Sequence, residues 1–94
     1  MHARVTLTHG PAAEVDTVVG RVRDVLPALQ KQHGFKGMYV LVDRQGGKGI
    51  SLSLWETEAD MKASEEAGTR ARSQVTSGTK VDATVERYEV VLHP

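Results

Sequence analysis

The chain has 94 residues, 39% of them hydrophobic, and its 12 Lys plus Arg are balanced by 12 Asp plus Glu. This length fits one domain, residues 1–94, and the balanced charge gives no net field that would draw the chain to nucleic acid or to an anionic membrane. The absence of cysteine excludes disulfides, thiolate catalysis and Cys-ligated metal sites, and it indicates a reducing cytoplasm.

The first part of the chain predicts a strand followed by a helix. Residues 4–8 alternate polar and apolar side chains, which is typical of a short half-buried strand. After Gly10, Pro11 suits a first helical turn, and apolar residues then recur at helical spacing. These residues are Val15, Val18, Val19, Val22, Val25, Leu26 and Leu29. We expect the helix to end near Gly34, with Pro27 bending it.

The middle of the chain predicts a β-hairpin, in which an apolar run at 37–42 and a second run at 50–55 flank a Gly-rich turn. Alternation gives the second strand two different faces. One face is wholly apolar and consists of Ile50, Leu52 and Leu54. The other is small with one bulky end and consists of Ser51, Ser53 and Trp55. An exposed apolar face usually marks a partner surface, so we expect a homodimer through that face and a pocket on the other.

The last part of the chain predicts a second helix and a final strand. Thr57, with Asp60 three residues later, forms a capping-box pattern that starts a helix running to about Ala67. We expect Gly68 to break or kink this helix, residues 69–75 to add a helical turn, and residues 85–92 to form the last strand. The resulting order predicts a ferredoxin-like βαββαβ domain of the α+β class, with both helices on one face of an antiparallel sheet.

The segments at two junctions resemble a known family. Gly34 and Phe35 before an apolar strand, and then Ser53 to Met61 at the next strand-to-helix junction, are similar to the antibiotic biosynthesis monooxygenase family. The resemblance spans almost the whole chain. It implies a dimeric α/β barrel with a ligand pocket between the sheet and the helices of each subunit. It also implies a small oxidoreductase, a monooxygenase without a cofactor that acts on an aromatic or quinol-like molecule.

Position by position, the chain departs from two branches of that family. The polyketide-oxidising members carry an Asn four residues before the Trp and a Tyr six residues after it, where this chain has Ser51 and Met61. Trp55 itself is retained, and Arg72 is a candidate counterpart of an Arg later in that family. The haem-degrading branch uses an Asn, a Trp and a His, and the positions counted from Trp55 hold Arg4, Ser64 and Gln74. The resemblance therefore disfavours haem degradation.

Five residues are candidates for substrate binding, and each also has an ordinary structural explanation. Trp55 would form an aromatic wall or close the core, and Met61 would line the pocket or the core. Ser51 and Ser53 would donate hydroxyl hydrogen bonds or fit beneath a helix. Arg72 would hold a substrate oxyanion or be a solvated charge. The catalytic residues stay unknown, and the four histidines lack the spacing of a metal site.

A binding module is the alternative to an enzyme. The missing Asn and Tyr counterparts favour a non-catalytic small-ligand-binding or regulatory protein with the same dimeric barrel. RNA-binding sheets need exposed stacking aromatics in basic surroundings, which the few aromatic residues of this chain do not provide. No stretch approaches the roughly 20 apolar residues that span a membrane. The partners that we expect are therefore a second copy of the chain and a small aromatic ligand.

Overall fold

A computed structural model describes all residues from Met1 to Pro94 and shows one four-stranded antiparallel sheet with helices on one face. The strands are β1 (His2–His9), β2 (Phe35–Asp43), β3 (Lys48–Trp55) and β4 (Asp82–Glu89), in the spatial order β2-β3-β1-β4. The helices are α1 (Val15–Gln30), preceded by a 3-10 turn at Ala12–Glu14, and then α2 (Glu58–Ala63) and α3 (Glu65–Thr76). The predicted α+β ferredoxin-like architecture is confirmed.

The apolar stripe that the sequence predicted for α1 packs against α3 and the sheet. Val22 and Val25 of α1 and Val75 of α3 form a buried cluster, against which Met38 of β2 packs. At the start of α2 the side chain of Thr57 accepts a hydrogen bond from a backbone N–H three residues later, so the predicted cap is confirmed. No helix of the chain is both long and apolar enough to cross a membrane.

The last strand begins and ends earlier than the sequence predicted. It covers Asp82–Glu89 rather than residues 85–92, because it pairs with β1 along the full length of that strand. Asp82 lies opposite His9, and Glu89 lies opposite His2, where β1 begins. Beyond this point β1 offers only one further acceptor, the carbonyl of Met1, so the ladder stops.

The break in the second helical region is at Ser64, and the prediction that Gly68 breaks or kinks the helix is wrong. Ser64 has φ −90° and ψ 1°, and its hydroxyl donates to the carbonyl of Met61 at 2.7 Å. Gly68 lies inside α3 and is buried. A Cβ at this position would come within 2.8 Å of Nη1 of Arg4, so the helix tolerates a glycine here because an arginine side chain from β1 fills the space beside it.

The register of the sheet separates two faces of different chemistry. Arg4 lies opposite Ser53, and Thr6 lies opposite Ser51, so these four side chains share the face beneath the helices. The other face, which we call the open face, carries Thr84 and Glu86 on β4 and is otherwise largely apolar, through Val5, Leu7, Tyr39, Leu41, Ile50, Leu52, Leu54 and Tyr88. Tyr39 is 62% exposed, Leu41 54% and Tyr88 51%. The structure thus leaves much of this face exposed, although Leu54 at one end of it is buried.

The contact between Arg4 and α3 predicts opposite effects for alanine at two helical glycines. Gly68→Ala should lower the free energy of unfolding by about 1–3 kcal/mol, because the new methyl group must displace a guanidinium that hydrogen bonds hold in place. Gly20→Ala in α1 has nothing within 4 Å of the new Cβ, so it should raise that free energy by about 0.4–1 kcal/mol. Urea denaturation measures both, and equal stabilisation by the two substitutions would contradict the packing described.

Candidate functional site

A mostly apolar cavity of about 70 Å³ lies between the helix-covered face of the sheet and helices α1 and α3. Twelve of its 21 lining residues are hydrophobic. Thr6, Ser51 and Ser53 supply hydroxyl groups from the floor, while Val40 and Val42 of the edge strand β2 line one side. These two valines are 41% and 39% exposed, so the cavity meets solvent along β2.

The structure brings three of the five predicted site residues to this cavity. Ser51, Ser53 and Arg72 line it, whereas Trp55 and Met61 do not. Trp55 is fully buried, with Phe35 against its edge at 5.5 Å between ring centroids, and Met61 is 2% exposed. The indole N–H of Trp55 donates to the hydroxyl of Ser53 at 2.9 Å and is therefore already paired within the protein. Contact between any of the five predicted residues and a substrate stays a prediction.

Sequence reasoning missed Arg4 as part of the site. Its guanidinium is 4% exposed, lines the cavity and lies over the ring of Trp55, with 5.4 Å between Cζ and the ring centroid. Nη2 donates to the carbonyl of Met61 and to the hydroxyl of Ser64, both at 2.7 Å, whereas the buried Nε has no acceptor. The signal that could have identified it is the alternation of polar and apolar residues in β1, which places Arg4 on the same face as Thr6.

Glu65 is the carboxylate that balances the positive charge at this end of the cavity. It accepts two hydrogen bonds from Arg87, at 2.6 and 2.7 Å, and lies 3.4 Å from Nη2 of Arg4. The hydrogen bonds from Arg87 and the charge of Arg4 lower the pKa of Glu65 to about 2. Burial lowers the pKa of Arg4 from its ordinary value, against the opposing effect of Glu65, and the nearby charges of Arg72 and Arg87 act in the same direction as burial.

The histidines lie away from the cavity. His9 is exposed at the end of β1, and His33 is 94% exposed with Nε2 3.7 Å from a carboxylate oxygen of Asp60. Nowhere in the chain do three or more His, Asp or Glu side chains cluster in a way that could hold a metal ion. The polar chemistry of the cavity therefore comes from arginine, serine and threonine.

Two uncharacterized proteins of Mycobacterium tuberculosis, Rv2557 and Rv2558, are similar to this chain in sequence. Each is 38% identical to it, over 91 and 93 residues, and the matches cover 96% and 98% of this chain. They cover 41% and 39% of the two relatives, so the chain spans about two fifths of the length of the curated proteins that it matches. No protein-family model matches the chain.

Solved structures share the fold over nearly the whole chain. The haem degrader MhuD of Mycobacterium tuberculosis, with two haems in its active site, is 18% identical with a TM-score of 0.76, and the match covers 100% of this chain and 99% of MhuD. A candidate antibiotic biosynthesis monooxygenase of Deinococcus radiodurans is 16% identical with a TM-score of 0.79, over 100% and 96% of the two chains. An antibiotic biosynthesis monooxygenase is 17% identical with a TM-score of 0.71, over 98% and 100%. The chain therefore has the fold of the antibiotic biosynthesis monooxygenases, and the resemblance in its sequence is confirmed at the level of fold.

The low pKa of Glu65 predicts how stability depends on pH. Because its folded pKa of about 2 is below the ordinary value of 4.5, the carboxylate stabilises the fold above pH 4.5, and this contribution is lost as the pH falls towards 2. Glu65→Gln should therefore be less stable than the parent protein at pH 7, and the two should converge near pH 2.

The control is Glu66→Gln, which removes the neighbouring, exposed partner of Arg70. Its stability should stay within about 0.5 kcal/mol of the parent protein across the same range, because exposed ion pairs contribute little. Urea midpoints between pH 2 and 7 measure both variants. A gap between Glu65→Gln and the parent that does not narrow below pH 4.5 would contradict the assignment.

Proposed function

We propose that this domain is a small homodimeric monooxygenase of the antibiotic biosynthesis monooxygenase type, acting in the cytoplasm on an aromatic or quinol-like molecule without a bound cofactor. The observation that carries the proposal is the cavity itself. It lies under the helices in a chain with this fold, it has apolar walls, and it contains the hydroxyls of Ser51 and Ser53 and the guanidinium of Arg72.

The proposed reaction needs only an electron-rich substrate and O₂. For an anthrone-like substrate, the reacting CH₂ carbon bonds to one oxygen atom and becomes a carbonyl, while its two hydrogens leave with the other oxygen atom as water. The substrate supplies all four electrons, so no external reductant enters. The serine hydroxyls would orient the substrate oxygen, and Arg72 would stabilise the phenolate that reacts with O₂. A multi-ring substrate would extend out of the cavity past Val40 and Val42, where the cavity meets solvent.

The open face supports the homodimer in this proposal. Tyr39, Leu41 and Tyr88 are each more than half exposed on a face that also carries aliphatic side chains of β1 and β3, with Thr84 and Glu86 on β4. Contiguous exposed apolar surface of this kind marks interaction sites in soluble proteins. A second copy, packed sheet against sheet, would bury this face in both chains at once by two-fold symmetry and would close the α/β barrel.

Haem degradation does not fit this cavity. Its lining contains no histidine that could ligate iron. The fold shared with MhuD therefore does not carry the activity of MhuD to this chain.

A non-catalytic binding or regulatory module with the same barrel is the second candidate. Two observations favour it. Ser51 and Met61 stand where the polyketide-oxidising relatives carry Asn and Tyr, and the indole N–H of Trp55 is paired with Ser53 rather than directed at a ligand. A ligand that raises the melting temperature and is recovered unchanged would support this candidate over the enzyme.

Oxygen uptake tests the enzymatic proposal. The purified protein, incubated with hydroquinones and anthrone-like phenols, should consume O₂ faster than the buffer blank. Ser51→Ala should lower the rate about three- to tenfold by removing one hydrogen bond to the substrate. Ser73→Ala, at an exposed position on α3, should leave the rate unchanged. Rates equal to the blank across the panel would refute the oxygenase proposal.

Sedimentation tests the dimer. The protein should sediment as a dimer at micromolar concentration, and Leu41→Glu should convert it to a folded monomer, because a charge on the open face cannot be buried in the interface without a partner. Ala28→Glu places the same charge on an exposed position of α1 and should leave the dimer intact. A parent protein that is monomeric under these conditions would contradict the interface.

A further inference from the structure

One end of the cavity holds a guanidinium that the protein only partly satisfies. Nη2 of Arg4 makes two short hydrogen bonds to the end of α2, which orient the side chain and leave the buried Nε without an acceptor. Arginine presents its N–H groups as a rigid fork that matches the geometry of a carboxylate. The contacts at the end of α2 account for Nη2, whereas the chain provides no acceptor for Nε.

The charges around this end of the cavity are unequal. Arg4 and Arg87 share one neighbouring carboxylate, Glu65, and Arg72 adds a further positive charge close to Arg4. Both oxygens of Glu65 accept hydrogen bonds from Arg87, so its charge is only partly available to Arg4, from which it lies 3.4 Å away. The two arginines that line the cavity, Arg4 and Arg72, therefore carry positive charge without a full counterion.

The space beside Arg4 is kept open by Gly68. A side chain at this position would collide with Nη1 of Arg4, and the same point lies 3.6 Å from Nη1 of Arg72. The two guanidinium groups thus meet at the one residue of α3 that has no side chain. Away from them, the walls are formed by valines of α1 and β2.

We infer that Arg4 and Arg72 form an anion subsite, and that the ligand of the cavity is a small aromatic carboxylate whose carboxyl group binds there while its ring lies against the valines. This inference rests on the proposal that the cavity binds a small molecule, and it adds the charge of that molecule. Arg4 is a binding residue in this arrangement, and Trp55 is a positioning residue, because it touches the guanidinium and not the cavity.

Three probes of nearly the same shape and different charge test the subsite: benzoate, benzamide and benzamidine. Titration followed by ligand-observed NMR should show benzoate binding at least tenfold more tightly than benzamide, which reflects the charge-assisted hydrogen bonds. Benzamidine should show no binding, because its cation would face two guanidinium groups. The melting temperature should also rise as benzoate is added, over the same range of concentrations as in the NMR titration.

Substitutions then assign the effect to residues. Arg4→Met, which keeps the length of the side chain without its charge, should weaken benzoate to the level of benzamide. Arg4→Lys should retain part of the preference, and Arg72→Gln should weaken benzoate while leaving benzamide unchanged. Arg70→Gln is the matched control, because Arg70 lies on the same helix, is exposed and pairs with Glu66. It should bind benzoate as the parent protein does.

The outcomes separate this inference from the proposed function. Benzamide binding as tightly as benzoate would overturn the anion subsite and leave small-molecule binding intact, and binding of none of the three probes would overturn the subsite as well. Failure of oxygen uptake, with benzoate preferred, would refute the oxygenase alone. If Arg4→Met does not fold, the parent protein with three probes and the Arg72→Gln variant still decide the matter.

Discussion

The structure depends on a buried arginine in the first strand. The guanidinium of Arg4 is held from above by the end of α2, through Met61 and Ser64, and from the side by the ring of Trp55. Removing a charged group from water costs on the order of several kcal/mol unless hydrogen bonds and a counterion compensate. The break at Ser64, the glycine at position 68 and the position of Glu65 all meet that requirement, so three features of the helical region have one cause.

The alternation of the strands couples this arginine to the rest of the molecule. In β1 and β3 the small polar residues point towards the helices, and the large aliphatic residues point away from them. In a domain whose core lies only beneath its helices, the large aliphatic residues would instead point towards the helices. The polar floor leaves a cavity instead of a filled core, and the aliphatic residues form the open face. A ligand on one side and a second copy on the other would satisfy both faces of the same sheet.

The sequence predicted the fold well because the relevant patterns are local. The helical stripe, the cap at Thr57 and the alternation in residues 50–55 each depend on near neighbours. The site was less accessible because it depends on contacts between distant segments. Arg4 meets Ser64 across 60 positions, and no local pattern shows that Gly68 accommodates an arginine instead of breaking a helix. Trp55 was predicted to face the pocket, and the structure places Arg4 over its ring and buries it completely.

The most direct test of this account observes the Nε–H group of Arg4 itself. In a ¹⁵N–¹H spectrum of arginine side chains, with the signal assigned by its loss in Arg4→Lys, added benzoate should move the Arg4 Nε–H signal saturably. The Arg70 signal should stay in place, and benzamide should produce no comparable shift. An Arg4 signal that does not move while benzoate binds elsewhere would show that this buried arginine holds the helices together and has no part in ligand recognition.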